Sequence, residues 1–188
     1  MDERVLIRNV KVVSPGTETT VRDVLMADGR WSFPAKAPDG VRVVDGSGKV
    51  LLPGLYDMHA HLREPGREDS ETIATACEAA LAGGFTGLTA MPDTVPAVDN
   101  GGMVHSLREI AARTARLPIE VAGCITRGRL GQELAEIGEM QSRGAVMITD
   151  DPDPVANPQV LRRALQYARG LDVLVATTCD VRELSGAG

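Results

Sequence analysis

The sequence predicts an α/β protein in which a small β-layer precedes a parallel sheet of about five strands. Two observations carry that prediction. From residue 50 onward, apolar strand-like runs alternate with helical runs across short loops, the pattern of parallel strands joined by crossover helices. Before residue 50 the apolar residues come in short β-rich runs between turn residues, with no helical period.

The β-layer is expected over residues 1–50. Residues 5–7, 11–13, 21–26 and 41–44 read as strands, separated by Ser14-Pro15-Gly16, Asp28-Gly29 and Asp45-Gly46-Ser47-Gly48. A second domain is expected over 51–188. It opens on the apolar run 50–56, which Pro53-Gly54 interrupts. Helices are predicted at 70–81, 103–116, 130–143 and 158–169, and strands at 85–91, 119–125, 145–149 and 173–177.

Composition narrows the function classes. Of 188 residues, 43% are hydrophobic and 24% charged, which describes a globular chain rather than a disordered one. Acidic residues outnumber basic ones 26 to 20, so an extended basic surface for nucleic acid is not expected. With aromatics at 3%, the core must be built from Val, Leu, Ile and Ala, and stacking platforms for bases are hard to furnish. No apolar run approaches the ~20 residues of a membrane span. Asp2 and Glu3 stand where a secretory signal has a basic start. The cysteines, Cys77, Cys124 and Cys179, form neither a disulfide framework nor a CxxC knuckle, which predicts a cytoplasmic protein.

Length leaves two architectures open. A closed (β/α)8 barrel takes ~200 residues or more, so the second domain is either a small open sheet or the first part of a barrel. No GxGxxG or GxxxxGK[ST] fingerprint follows a strand.

The chemistry concentrates between Leu52 and Gly66. Two of the three histidines, His59 and His61, lie two residues apart at the end of an apolar strand. Because strand side chains alternate, Asp57, His59 and His61 are predicted to leave one face, both imidazoles able to grip one metal ion. The C-terminal mouth of a parallel strand is where α/β enzymes place their sites. The competing reading is a pair of histidines at a solvated strand end. Asp150-Asp151, read on its own, is an acidic turn after a strand, since Asp-Asp-Pro-Asp-Pro favours turns.

Taken whole, the pattern PGxxDxHxHLREPG over 53–66 resembles the opening signature of the cyclic amidohydrolases, and its REPG ending resembles dihydroorotases of type I. The resemblance continues through Gly83-Gly84-Phe85-Thr86, Met91-Pro92-Asp93-Thr94, Ile125-Thr126-Arg127-Gly128, Thr149-Asp150-Asp151 and residues 162–168. It implies the N-terminal portion of such an enzyme: part of a small β-sandwich, then about five strands of a TIM-type barrel. It further implies a zinc-dependent hydrolase in de novo pyrimidine biosynthesis, interconverting dihydroorotate and N-carbamoyl-aspartate. In that family His59 and His61 match zinc ligands and Asp151 a carboxylate able to bridge two zincs. His61, Arg63 and Asp93 fall at substrate-binding positions, Arg63 being a planar fork for the substrate carboxylate.

The sequence also departs from that family. Thr178 stands where the resemblance places a histidine ligand, and a threonine hydroxyl is a poor zinc donor. Asp93 replaces an asparagine that helps hold the substrate carboxylate, which predicts like-charge repulsion and weaker binding of an acidic substrate. Pro152 replaces a glycine. The family's remaining histidine and its general-base aspartate match no residue up to Gly188, so no catalytic base is assigned. His105 falls in the helix predicted at 103–116 and reads as a surface residue. The implied partners are the small-molecule substrate and a second copy in a homodimer. The alternatives to the enzyme are an inactive scaffold for aspartate transcarbamoylase and a non-functional gene fragment.

Overall fold

A computed structural model describes residues 4–14, 16 and 18–180. The chain divides into two compact units, residues 1–54 and 55–188.

The first unit is a sheet built on β1 (Val5–Val12), which pairs antiparallel with β2 (Thr20–Ala27) and parallel with β4 (Arg42–Asp45) and β5 (Val50–Leu51). The two strands expected at 5–7 and 11–13 are one strand with a bulge. Its register slips between Ile7 and Val10, where Asn9 takes φ 54° and its N–H donates to Asp23 Oδ1. Asp28-Gly29, both at positive φ, forms the tight hairpin between β2 and β3 (Arg30–Ser32). The turn is legible in the sequence, whereas the strand that follows it, three exposed residues, carries no apolar pattern. Among the described residues of this layer, the buried hydrophobics are Leu6, Val10 and Val24.

The second unit runs β6 (Leu55–Ala60), α1 (Ile73–Ala82), β7 (Phe85–Ala90), α2 (Gly101–Thr114), β8 (Ile119–Gly123), α3 (Ile137–Ser142), β9 (Ala145–Ile148), α4 (Pro158–Leu171) and β10 (Leu174–Val175). Its strands pair in parallel in the order β10-β9-β8-β7-β6. A doubly wound sheet reverses its strand order at a switch point, and this one does not. Strictly sequential order is that of a (β/α)8 barrel, so the unit is five strands of a partial TIM-type barrel.

Alternation along the strands separates two apolar layers. Leu88, Ala90, Val121 and Ile148 pack on the helices, meeting Ile73, Leu107, Ile137, Met140 and Ala164. Met91, Ala122 and Met147 form a smaller cluster with Ala176. Helix starts follow local chemistry. Thr72 caps α1 in a reciprocal box with Thr75, Asn100 caps α2, and Asn157 followed by Pro158 caps α4.

The helix expected at 130–143 is shortened to α3. Gly131 sits at φ 71°, and the preceding backbone bonds outward: Arg127 N–H donates to Glu133 O and Ala135 N–H to Ile125 O. Those groups are therefore committed to a loop rather than to an i→i−4 ladder. Among the described residues, no helix is long and apolar enough to cross a membrane.

Candidate metal centre

The C-terminal ends of the parallel strands bring together residues far apart in sequence. Pairing of β6 with β7 is irregular between Asp57 and Ala60, which breaks the simple alternation expected for that segment. Asp57 Oδ1 accepts the backbone N–H of His59, so Asp57 is turned onto its own chain instead of joining the two imidazoles. His59 and His61 do converge, with ring centroids 5.3 Å apart at 63°.

The third member comes from beyond β9. His59 Nε2 lies 3.1 Å and His61 Nε2 3.3 Å from the same oxygen, Asp151 Oδ2. One ligand atom from each of the three residues lies within 4.8 Å of the others. Asp151 Oδ2 is buried and has no hydrogen-bond partner. A buried carboxylate oxygen facing two imidazole nitrogens without a hydrogen bond is costly in a purely organic site. Two nitrogens and a carboxylate oxygen are a zinc-type donor set, and tetrahedral ligation at about 2.1 Å spaces donors by about 3.4 Å. The residues fit a divalent ion.

The carboxylate is held from behind. Asp150, 2% exposed, accepts the N–H groups of Ile125 (2.8 Å) and Thr126 (2.9 Å) and the Thr126 hydroxyl. Burial pushes the Asp150 carboxyl up from its ordinary value, while these bonds and the Arg129 charge pull it down. Arg129 Nη1 donates to the backbone carbonyl of Asp151 at 2.8 Å, and Asp151 N–H donates to Thr149 Oγ1 at 3.1 Å. Neither Asp150 nor Arg129 was assigned a role from the sequence. Nothing in a single chain distinguishes a clamp from a turn until Thr126 is seen opposite.

Arg63 and Asp93 meet across two docked loops. Arg63 Nη1 donates to Asp93 Oδ2 at 2.5 Å. Asp93 Oδ1 lies 3.0 Å from His61 Nδ1, off the line of a hydrogen bond. If His61 ligates through Nε2, its Nδ1 carries the proton toward Asp93, the arrangement that fixes a metal-bound imidazole. Val95 N–H donates to Pro65 O, joining the loop after β7 to the one after β6.

A cavity of about 540 Å³ lined by Tyr56, Met58, His59, Thr89, Glu120 and Leu174, among others, reaches the imidazole of His59. Thr178 is half-buried just past β10 and offers a hydroxyl, not an imidazole. Cys179 is exposed and does not join the converging donors. Burial pushes the thiol of Cys124 up, making it a structural residue rather than a nucleophile. His105 lies exposed on α2, as expected for a surface residue.

Comparison with known proteins identifies the family. A family model described as Dihydro-orotase-like matches residues 48–187. The chain is 42% identical to a dihydroorotase of Pelotomaculum thermopropionicum, over 98% of this chain and 44% of that protein. It is 41% identical to a dihydroorotase of Solibacter usitatus, again over 98% and 44%. It thus spans less than half the length of these curated relatives. Among solved structures it superposes on L-hydantoinase from Arthrobacter aurescens with a TM-score of 0.77 at 21% identity, covering 93% of this chain and 40% of that one. A dihydropyrimidinase from Brevibacillus agri gives 0.72 at 24% identity, covering 92% and 39%.

Proposed function

Since this chain belongs to the dihydroorotase-like family, we propose that its His59–His61–Asp151 centre holds zinc and serves the hydrolysis and formation of a cyclic amide. The substrate pair is dihydroorotate and N-carbamoyl-aspartate, in pyrimidine synthesis. One observation carries the reading: three potential ligands converge, and the shared oxygen of Asp151 has no hydrogen bond of its own. Bound there, a zinc ion polarises an amide carbonyl and lowers the pKa of water.

The chain's own residues supply orientation. His59 and His61 present Nε2 to the same point from the end of β6, and the Asp150 and Arg129 contacts fix the direction of the Asp151 carboxylate. Asp93 faces Nδ1 of His61 and sets which ring nitrogen is free to ligate. Arg63 is joined to the centre through Asp93, which faces His61, and offers a cation for the substrate's polar edge. In hydrolysis, water oxygen joins the carbonyl carbon, the ring C–N bond breaks, and the proton goes to the departing nitrogen.

The test is metal analysis with a dihydroorotate hydrolysis assay. The proposal expects close to one zinc per chain, lost in the His59→Ala/His61→Ala double variant. Metal-free protein that takes up no zinc at neutral pH would overturn it. A second reading is favoured by Thr178: an inactive scaffold for aspartate transcarbamoylase. It predicts co-purification with that enzyme and no metal, and Thr178→His would then not raise zinc content.

A further inference from the structure

The Arg63–Asp93 pair bears on which cyclic amides the site takes. Asp93 is 5% exposed at its side chain, so its carboxylate has no room to swing into water. It meets Arg63 Nη1 through one oxygen and faces His61 Nδ1 with the other. The pairing is built into the backbone. Arg63 is held at φ 62°, a conformation side chains rarely adopt, and Gly66 packs so tightly on Val95 that a Cβ there would lie 2.2 Å from its carbonyl oxygen. Both loops are thereby fixed with the guanidinium against the carboxylate.

A cation matched at contact by a buried anion offers little to a third charge. A carboxylate approaching Arg63 meets Asp93 at a similar distance, and attraction and repulsion largely cancel. Arg129 does not replace it. That guanidinium donates through Nη1 to the Asp151 carbonyl, and the nearby Asp150 carboxylate, whose pKa its charge lowers, offsets it in turn.

We infer that Asp93 sets the substrate class: through the contact Arg63–Asp93, the site takes cyclic amides that carry no carboxylate at least as readily as dihydroorotate. The inference rests on the amidohydrolase reading of the same site and goes beyond it by adding a second class of substrate. A ring whose edge presents only amide N–H and C=O groups meets no like charge here, and the neutral ion pair can hydrogen-bond to it from Arg63.

The experiment has two arms. In the first, succinate is titrated into the metal-free 188-residue chain while NMR follows the Arg63 Nε–H resonance. Asp93→Asn should bind succinate at least about tenfold more tightly than the wild type. Asp93→Ala serves as the second variant should the first fail to fold. Equal affinities in wild type and variant overturn the inference. In the second, the zinc-loaded chain is titrated by calorimetry with dihydroorotate and with 5,6-dihydrouracil, the same ring without the carboxylate. Wild type should bind dihydroorotate no more tightly than dihydrouracil, and Asp93→Asn should favour dihydroorotate by about tenfold or more. A wild type that itself prefers dihydroorotate by that factor overturns the inference. Failure to take up zinc overturns the amidohydrolase reading instead, and the succinate arm still decides the charge argument.

Discussion

His59 Nε2 lies 3.1 Å from Oδ2 of Asp151, across 92 residues of sequence, and no proton donor satisfies that oxygen. A cation held between the two side chains would offset the cost of burying that oxygen without a partner. Asp151→Asn keeps the size of the side chain and removes the charge, so it separates packing from ligation. Zinc affinity, measured by competition with a chromophoric chelator, should fall by at least about 100-fold in this variant. Thermal stability of the metal-free protein should not fall, since the variant removes the unsatisfied buried charge.

Asp150 acts on the fold rather than on the ion. Its carboxylate satisfies two buried backbone N–H groups, those of Ile125 and Thr126, together with the Thr126 hydroxyl. Asp150→Ala would leave these donors buried without acceptors, at a cost of about 3 kcal/mol. Asp150→Asn keeps one oxygen where both N–H groups point and should cost roughly 1 kcal/mol. Urea unfolding followed by circular dichroism gives both values, and equal losses would show that the clamp is not what holds this loop.

The parts of this molecule that were legible in sequence are those set by local chemistry. Alternating apolar runs marked the parallel sheet, Asp28-Gly29 the hairpin, and the spacing of His59 and His61 the convergence of two imidazoles. Asp57 was misplaced because alternation assumes a regular strand, and β6 is irregular between Asp57 and Ala60. The residues missed were those whose meaning lies in a partner distant along the chain. Asp150 needs Thr126, 24 residues away, and Arg129 needs Asp151, 22 away. Asp93 reads from the sequence as a group that repels an acidic substrate, and only the fold adds that Arg63, 30 residues earlier, is bonded to it.

That pairing makes a stability prediction of its own. Arg63→Met would strand the Asp93 carboxylate in a buried position with only His61 beside it. Removing one partner of a buried pair costs more than removing both, since the survivor keeps its desolvation penalty. Because Arg63 is 29% exposed at its side chain, water softens the loss, and about 2 kcal/mol is expected. Adding Asp93→Asn to Arg63→Met should recover roughly half of that. Additive losses in the double-mutant cycle would show that the two side chains do not interact energetically.

Gly66 tests whether the loops must touch for the site to form. It sits at φ 99°, and a Cβ added there would meet Val95 O at 2.2 Å and Val95 Cβ at 2.7 Å. Both contacts involve groups that cannot move aside cheaply, and the conformation itself disfavours a side chain. Gly66→Ala should therefore destabilise the chain by about 2 kcal/mol or more, read from urea unfolding. The relief open to the protein is to part the loop after β6 from the loop after β7, breaking the Val95-to-Pro65 hydrogen bond that joins them. Arg63 and Asp93 would then separate, and succinate affinity at Arg63 should rise in Gly66→Ala as it does in Asp93→Asn. A destabilised variant with unchanged succinate affinity would mean that the ion pair survives without the loop contact.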